Sequence, residues 1–191
     1  MELIPKEYNP LIREELIKSY LTSAKVPARF ASADITDFKP IKHEYRLFIS
    51  GSIGAGKTHL SCALLKDFIR KSYGKGQFVT FPNLLSEIKI GFENERGEDV
   101  LLKYLSFDLL VLDDLGTEKF SEWVGEKLFQ IIDDRYRNNK FLIITSNLAL
   151  DDFAKQYGIQ GQRIASRINE MCEQIKLTAT DRRLKASEAK S

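Results

Sequence analysis

Apolar residues recur along this chain with two periods, and the places where one period yields to the other locate its elements. Leu11, Ile12, Leu16, Ile17, Tyr20 and Leu21 fall at three- and four-residue spacing, which predicts an amphipathic helix over 8–24. Pro27 disfavours helix at Val26. A polar connector with a second break at Pro40 then runs over 31–42. Residues 45–50 read as a strand and 58–71 as a helix. Tyr73-Gly74-Lys75-Gly76 is a turn signal before a strand at 77–81. Pro82 opens a helical segment carrying Leu84, Leu85, Ile88 and Ile90, at the early position where proline is tolerated. Residues 91–99 read as a charged loop and 100–105 as a short helix. The apolar run Leu109-Leu110-Val111-Leu112 predicts a buried strand. The spacing of Val124, Leu128, Ile131, Ile132 and Tyr136 predicts a long helix over 122–138. A second buried strand is expected at 141–147 and a helix at 148–157. A break is expected between Gly158 and Gly161, a further helix from Gln162, and a last short strand at 174–178. Alternation of strands and helices is the pattern of a parallel sheet covered on both faces.

With 191 residues, 43% hydrophobic and 29% charged, the chain has the composition of a globular domain with a sizeable core. The net charge of +2 is too small for bulk charge to argue for nucleic acid, so a DNA site would have to be a local patch. No run of about 18 apolar residues suggests a membrane span, and the first residues lack a signal-peptide pattern. No membrane association and a cytoplasmic location are therefore expected. Cys62 and Cys172 sit in separate amphipathic stretches and read as buried thiols. His43 and His59 have no partners at zinc spacing.

Between the first strand and its helix stands Gly51-Ser52-Ile53-Gly54-Ala55-Gly56-Lys57-Thr58, matching a glycine, four residues, then Gly-Lys-Thr. Glycines let successive N–H groups converge on one concavity, and the following helix adds free N–H donors and its positive dipole end. This is a polyphosphate cradle. Lys57 is expected on the β- and γ-phosphates, Thr58 on magnesium, and His59, next on the chain, beside the nucleotide. The apolar strand ends in Asp113-Asp114, at the sheet edge where ligands bind in such folds. Asp113 is the expected second tether for Mg2+, and Asp114 the base that polarises the attacking water. Asn147, at the end of the later buried strand, is expected to sense the γ-phosphate, with capping of the next helix as a competing role that does not exclude the first. Arg163 and Arg167 lie four apart on one helical face, either as solvated charge or as arginines reaching into a neighbouring subunit's phosphate site.

These motifs, together with Leu115-Gly116, Thr145-Ser146-Asn147 and Asp181-Arg182-Arg183, resemble in order the AAA+ ATPases of the DnaC/DnaI helicase-loader and IstB transposition-helper group. The resemblance implies an α/β fold: a P-loop NTPase with a five-stranded parallel sheet of order 5-1-4-3-2, helices on both faces, and an absent or vestigial helical lid. It divides the chain into an arm and connector (1–42), an ATPase core (43–184) and a flexible tail (185–191). It implies ATP and Mg2+ as cofactors, Asn147 as the sensor, Arg167 as the trans-acting arginine with Arg163 beside it, and Arg183 at a second sensor position.

The expected activity is ATP hydrolysis by a DNA-associated, ATP-dependent homo-oligomer acting in replication. Its expected partners are DNA, single-stranded, and a hexameric replicative helicase, which it would load or regulate. The short arm before the core weakens the helicase expectation. It either crosses the adenine end of the nucleotide site or serves as a handle. Alternatives are an IstB-type transposition helper and a nucleotide-gated adaptor with little turnover. The sequence Asn-Lys-x-Asp, which would read guanine, is absent after the 141–147 strand.

Overall fold

The computed structural model describes residues 10–38, 44–72, 74–119 and 121–178. Five strands form one all-parallel sheet: β1 (Arg46–Gly51), β2 (Gly76–Thr80), β3 (Leu109–Leu115), β4 (Phe141–Ser146) and β5 (Glu173–Leu177). Their order is β2-β3-β4-β1-β5, the expected order read from the other edge. Side chains alternate across the sheet with period two, so each central strand feeds two cores. Leu47, Ile49, Leu109, Val111 and Ile143 join one cluster. Phe48, Leu110, Leu112, Leu142 and Ile144 join the other.

The first cluster is closed by α2 (Lys57–Ser72), through Leu60, Leu64, Leu65, Phe68 and Ile69. The N-terminal segment adds to this face. Its helix α1 (Pro10–Ser23) has no buried residue, and Leu11 and Ile12 stand exposed. The residues after it dock firmly. Ala24 O accepts from Phe78 N at 2.8 Å, and Lys66 Nζ donates to Ala31 O and Ala33 O, both at 2.6 Å. Two single-turn 3₁₀ segments, Ala28–Phe30 and Ile35–Asp37, carry the chain along α2. The other face is covered by α3 (Phe81–Glu93), α4 (Gly97–Ser106), α5 (Glu122–Arg137), α6 (Leu150–Gln156) and α7 (Gly158–Met171).

Two elements differ from the sequence expectation. The segment 91–99 is mostly helical: α3 runs through Gly91 to Glu93 and α4 already begins at Gly97. Thr80 caps α3 by accepting from Asn83 N, and Pro82 sits in its first turn as expected. The break between the two helices falls at Tyr157, and the glycines at 158 and 161 belong to the first turn of α7. Gly161 is needed because α6 and α7 nearly touch there: an added Cβ would lie 2.8 Å from Tyr157 Cβ and 3.0 Å from Ala154 O. Arg135, in the last turn of α5, is fully buried. Its guanidinium donates to Phe141 O at 2.8 Å, Tyr104 O at 3.0 Å and Phe107 O at 3.1 Å, tying the end of α4 to the start of β4.

Candidate nucleotide site

At the C-terminal edge of the sheet, a cavity of about 770 Å³ is lined by the phosphate loop, by Arg29 and Phe30 of the N-terminal segment, and by Asp114, Thr117 and Asn147. The loop begins where β1 leaves the sheet. Gly51, at φ +152°, pairs with Leu177 so closely that an added Cβ would lie 2.2 Å from Leu177 O, so only glycine fits. Gly54 and Gly56 have positive φ and turn the chain toward the start of α2. Ala55 is buried beneath the loop, whereas Ile53 is exposed on the cavity's rim.

Lys57 is curled back over its own loop. Its Nζ donates to Gly51 O at 2.9 Å, Ser52 O at 3.0 Å and Asn147 Oδ1 at 2.8 Å. Burial lowers the pKa of this amine, while Asp114 and Asp113 oppose the shift. Three neutral oxygens thus hold a cation where a polyphosphate would compete for it.

Thr58 Oγ1 donates to Asp113 Oδ2 at 3.0 Å, joining the loop to the end of β3. The other carboxylate oxygen of Asp113 accepts from Thr145 Oγ1 at 2.7 Å, and Thr145 Oγ1 in turn accepts from Asp114 N at 3.0 Å. Burial raises the Asp113 pKa to about 6, with the charge of Asp114 adding to it. The hydrogen bonds from Thr145 and Thr58 and the charge of Lys57 pull the other way. A hydroxyl and a buried carboxylate that already lie within one hydrogen bond suit a hard cation such as Mg2+, and an ion between them would remove the cost of the buried charge. Among the described residues no three of His, Cys, Asp and Glu form a metal cluster.

Asp114 stands differently. Its φ of +60° is left-handed, and it falls where the pairing of β3 with β4 shifts register between Leu112 and Leu115. That turn sends Asp113 inward, 2% exposed, while Asp114 lines the cavity. Asn147 lies opposite, on Lys57. The alternative of Asn147 as a helix cap does not hold: Ala149 is the N-cap of α6, and Ser146 Oγ accepts from Leu148 N at 3.1 Å in the turn.

Arg29 and Phe30 bring the N-terminal segment to the wall of this cavity. His59 links the two parts. Its Nε2 lies 3.0 Å from Asp37 Oδ2, and its ring meets Phe30 and Phe38 edge-on. Sequence reasoning missed Arg29, Phe30, Thr117 and Thr145. Only Thr145 left a signal, as a polar residue closing an otherwise apolar strand. Arg163 and Arg167 line no part of this cavity. They lie on α7 against α5, and Arg167 Nε pairs with Asp133 Oδ1 at 2.8 Å. Arg183, His43 and the expected tail lie outside the described residues.

A phosphate loop, a strand-end acid beside its threonine, and this strand order define a P-loop protein with the AAA+ fold. The chain belongs to the family described as IstB-like ATP binding protein, whose model matches residues 19–190. It is 30% identical over 144 residues to YqaM of Bacillus subtilis, an uncharacterised protein, covering 71% of this chain and 44% of YqaM. It is 24% identical over 172 residues to the replicative helicase loader DnaI of the same organism, covering 82% of this chain and 55% of DnaI. The chain thus spans about half the length of these curated relatives. The crystal structure of the DnaC helicase loader superposes with a TM-score of 0.69 at 28% identity, covering 79% of this chain and 99% of that one.

Proposed function

We propose that the protein is a magnesium-dependent ATPase that assembles on single-stranded DNA and acts in replication, loading or regulating a hexameric helicase in the cytoplasm. The observation that carries the chemistry is the 3.0 Å contact of Thr58 Oγ1 with the buried Asp113 Oδ2, where Thr58 lines a cavity together with Lys57, Asp114 and Asn147. In this reading residues 51–59 and Arg183 hold ATP, and Thr58 and Asp113 hold Mg2+. Bound magnesium would draw charge from the β- and γ-phosphates. Asp114 takes the proton of the attacking water, and Asn147 orients that water once Lys57 has turned to the phosphates. Arg167, with Arg163 beside it, completes the site of the neighbouring copy, so assembly and turnover are coupled.

The helicase part is supported by likeness to the loaders DnaC and DnaI. A second reading, an IstB-type helper that prepares target DNA for a transposase, is supported by the family match itself. One experiment separates them: ATP turnover with and without single-stranded DNA, run beside pull-downs against the host's replicative helicase and a cognate transposase. DNA-stimulated turnover with helicase capture supports loading. Capture of the transposase alone supports the second reading. Tight ATP binding without turnover, with DNA present, would leave a nucleotide-gated adaptor.

A further inference from the structure

Away from the nucleotide cavity, a cluster of paired charged and aromatic side chains lies where α7 packs on α5. Arg167 Nε sits 2.8 Å from Asp133 Oδ1, and Arg137 Nε sits 2.7 Å from Asp133 Oδ2. The Arg167 guanidinium lies 4.8 Å from the Tyr136 ring centre and 5.5 Å from that of Phe129. Arg163 packs on Phe129 at 4.6 Å. Tyr136 is itself held, its hydroxyl donating to Glu170 Oε1 at 2.8 Å. A cavity of about 410 Å³ opens alongside, lined by Phe129, Gln162, Arg163, Ser166, Arg167 and Glu170.

We propose that Asp133 is a positioning residue for Arg167: with the Tyr136 ring it grips the guanidinium by its Nε edge and presents the terminal nitrogens to a triphosphate carried by a second copy of this chain. The inference rests on the reading of Arg167 as the arginine supplied between subunits.

A long arginine on a surface helix samples many rotamers, and ordering it at the moment of phosphate contact costs entropy. Here the order is built in beforehand. The aromatic face sets the plane of the fork and the carboxylate sets its position along α5. Among the described residues no acceptor engages the two terminal nitrogens of Arg167, which are the pair that matches phosphate oxygens.

Arg137 pairs with the other oxygen of the same carboxylate, so Asp133 is itself fixed from a second side while it holds Arg167 by charge. Arg163 has only its aromatic contact and no carboxylate among the described residues, which makes Arg167 the aimed member of the pair.

The test is DNA-stimulated ATP turnover by the full chain carrying Asp133→Asn, Asp133→Glu or Arg167→Ala, together with ATP affinity measured on dilute protein. Asp133→Asn should bind ATP like the unmodified protein while its maximal turnover falls by about tenfold or more, the usual scale for a catalytic group left out of place. Asp133→Glu should recover part of the loss. Mixing Asp133→Asn with Lys57→Ala should restore turnover, because the Lys57→Ala copies present an intact Asp133–Arg167 pair to the ATP held by the others. Full turnover by Asp133→Asn, with Arg167→Ala inactive, overturns the role of Asp133 and leaves the reading of Arg167 standing. A loss in Asp133→Asn that the mixture fails to restore also overturns it, since Asp133 would then act on its own subunit. Normal turnover by Arg167→Ala removes the reading beneath it.

Discussion

Asp113 and Asp114 are adjacent carboxylates placed in opposite surroundings by one left-handed residue. Asp113 is turned into the protein, where two hydroxyls serve it and burial lifts its pKa to about 6 from an ordinary 3.8. Between those values the nucleotide-free fold keeps a proton that the unfolded chain releases. The stabilisation from this group is therefore complete below about pH 4 and is lost as the pH rises through 6, on the order of 3 kcal/mol in all. Asp113→Asn removes that loss. The melting temperature of the nucleotide-free variant should exceed that of the unmodified protein at pH 7.5, and the gap should narrow as the pH falls through 6 and close toward pH 4; a gap that ignores pH would mean the carboxyl's affinity for its proton is not raised by the fold. Asp114 faces the cavity instead, where the proposed reaction would call for a base. Asp114→Asn should keep its ATP affinity and lose about 10²- to 10⁴-fold in turnover, measured by phosphate release.

At the level of elements, what could be read in advance followed directly from local chemistry. The phosphate loop was legible because its glycines, lysine and threonine must stand at set spacings between a strand and a helix. β3 and β4 were legible because strands covered on both faces are continuously apolar. Features set by contacts distant in sequence were not. Nothing near Arg135 shows that it serves three carbonyls from two other segments, and in a helix pattern it reads as surface charge. Nor does any local signal show that Lys66 clamps the carbonyls of Ala31 and Ala33 and so brings Phe30 to the nucleotide cavity. The break between α6 and α7 falls at Tyr157, ahead of the glycines that signalled it, because Gly161 serves the close approach of the two helices, which the sequence does not reveal. Arg135→Met gives this level its test. It keeps the volume but strands carbonyls at the α4–β4 junction, and should cost about 3 kcal/mol in urea unfolding. A cost below about 1 kcal/mol would show that those carbonyls find other partners.

For the whole molecule, the site is built from one chain on three sides, by the phosphate loop, the strand ends and the N-terminal segment, while the arginines of α7 lie elsewhere. Under the proposed function, a chain arranged this way binds nucleotide alone and needs a neighbour to hydrolyse it. Turnover per subunit should therefore rise with protein concentration. Arg167→Ala should bind ATP as a monomer and lose the DNA-stimulated rate, by about 10³-fold if the arginine carries the usual share of transition-state charge. Turnover independent of concentration would place the whole reaction within one subunit.

The account stands or falls on one shared magnesium ion between Thr58 and Asp113. Calorimetric titration of ATP, with and without Mg2+, into the unmodified protein, Thr58→Ala, Asp113→Asn and the double variant tests it directly. If both side chains tether the same ion, Mg2+ tightens ATP binding to the unmodified protein, each single variant loses most of that gain, and the double variant loses little more. Losses that simply add, or a magnesium response retained in both single variants, would contradict it.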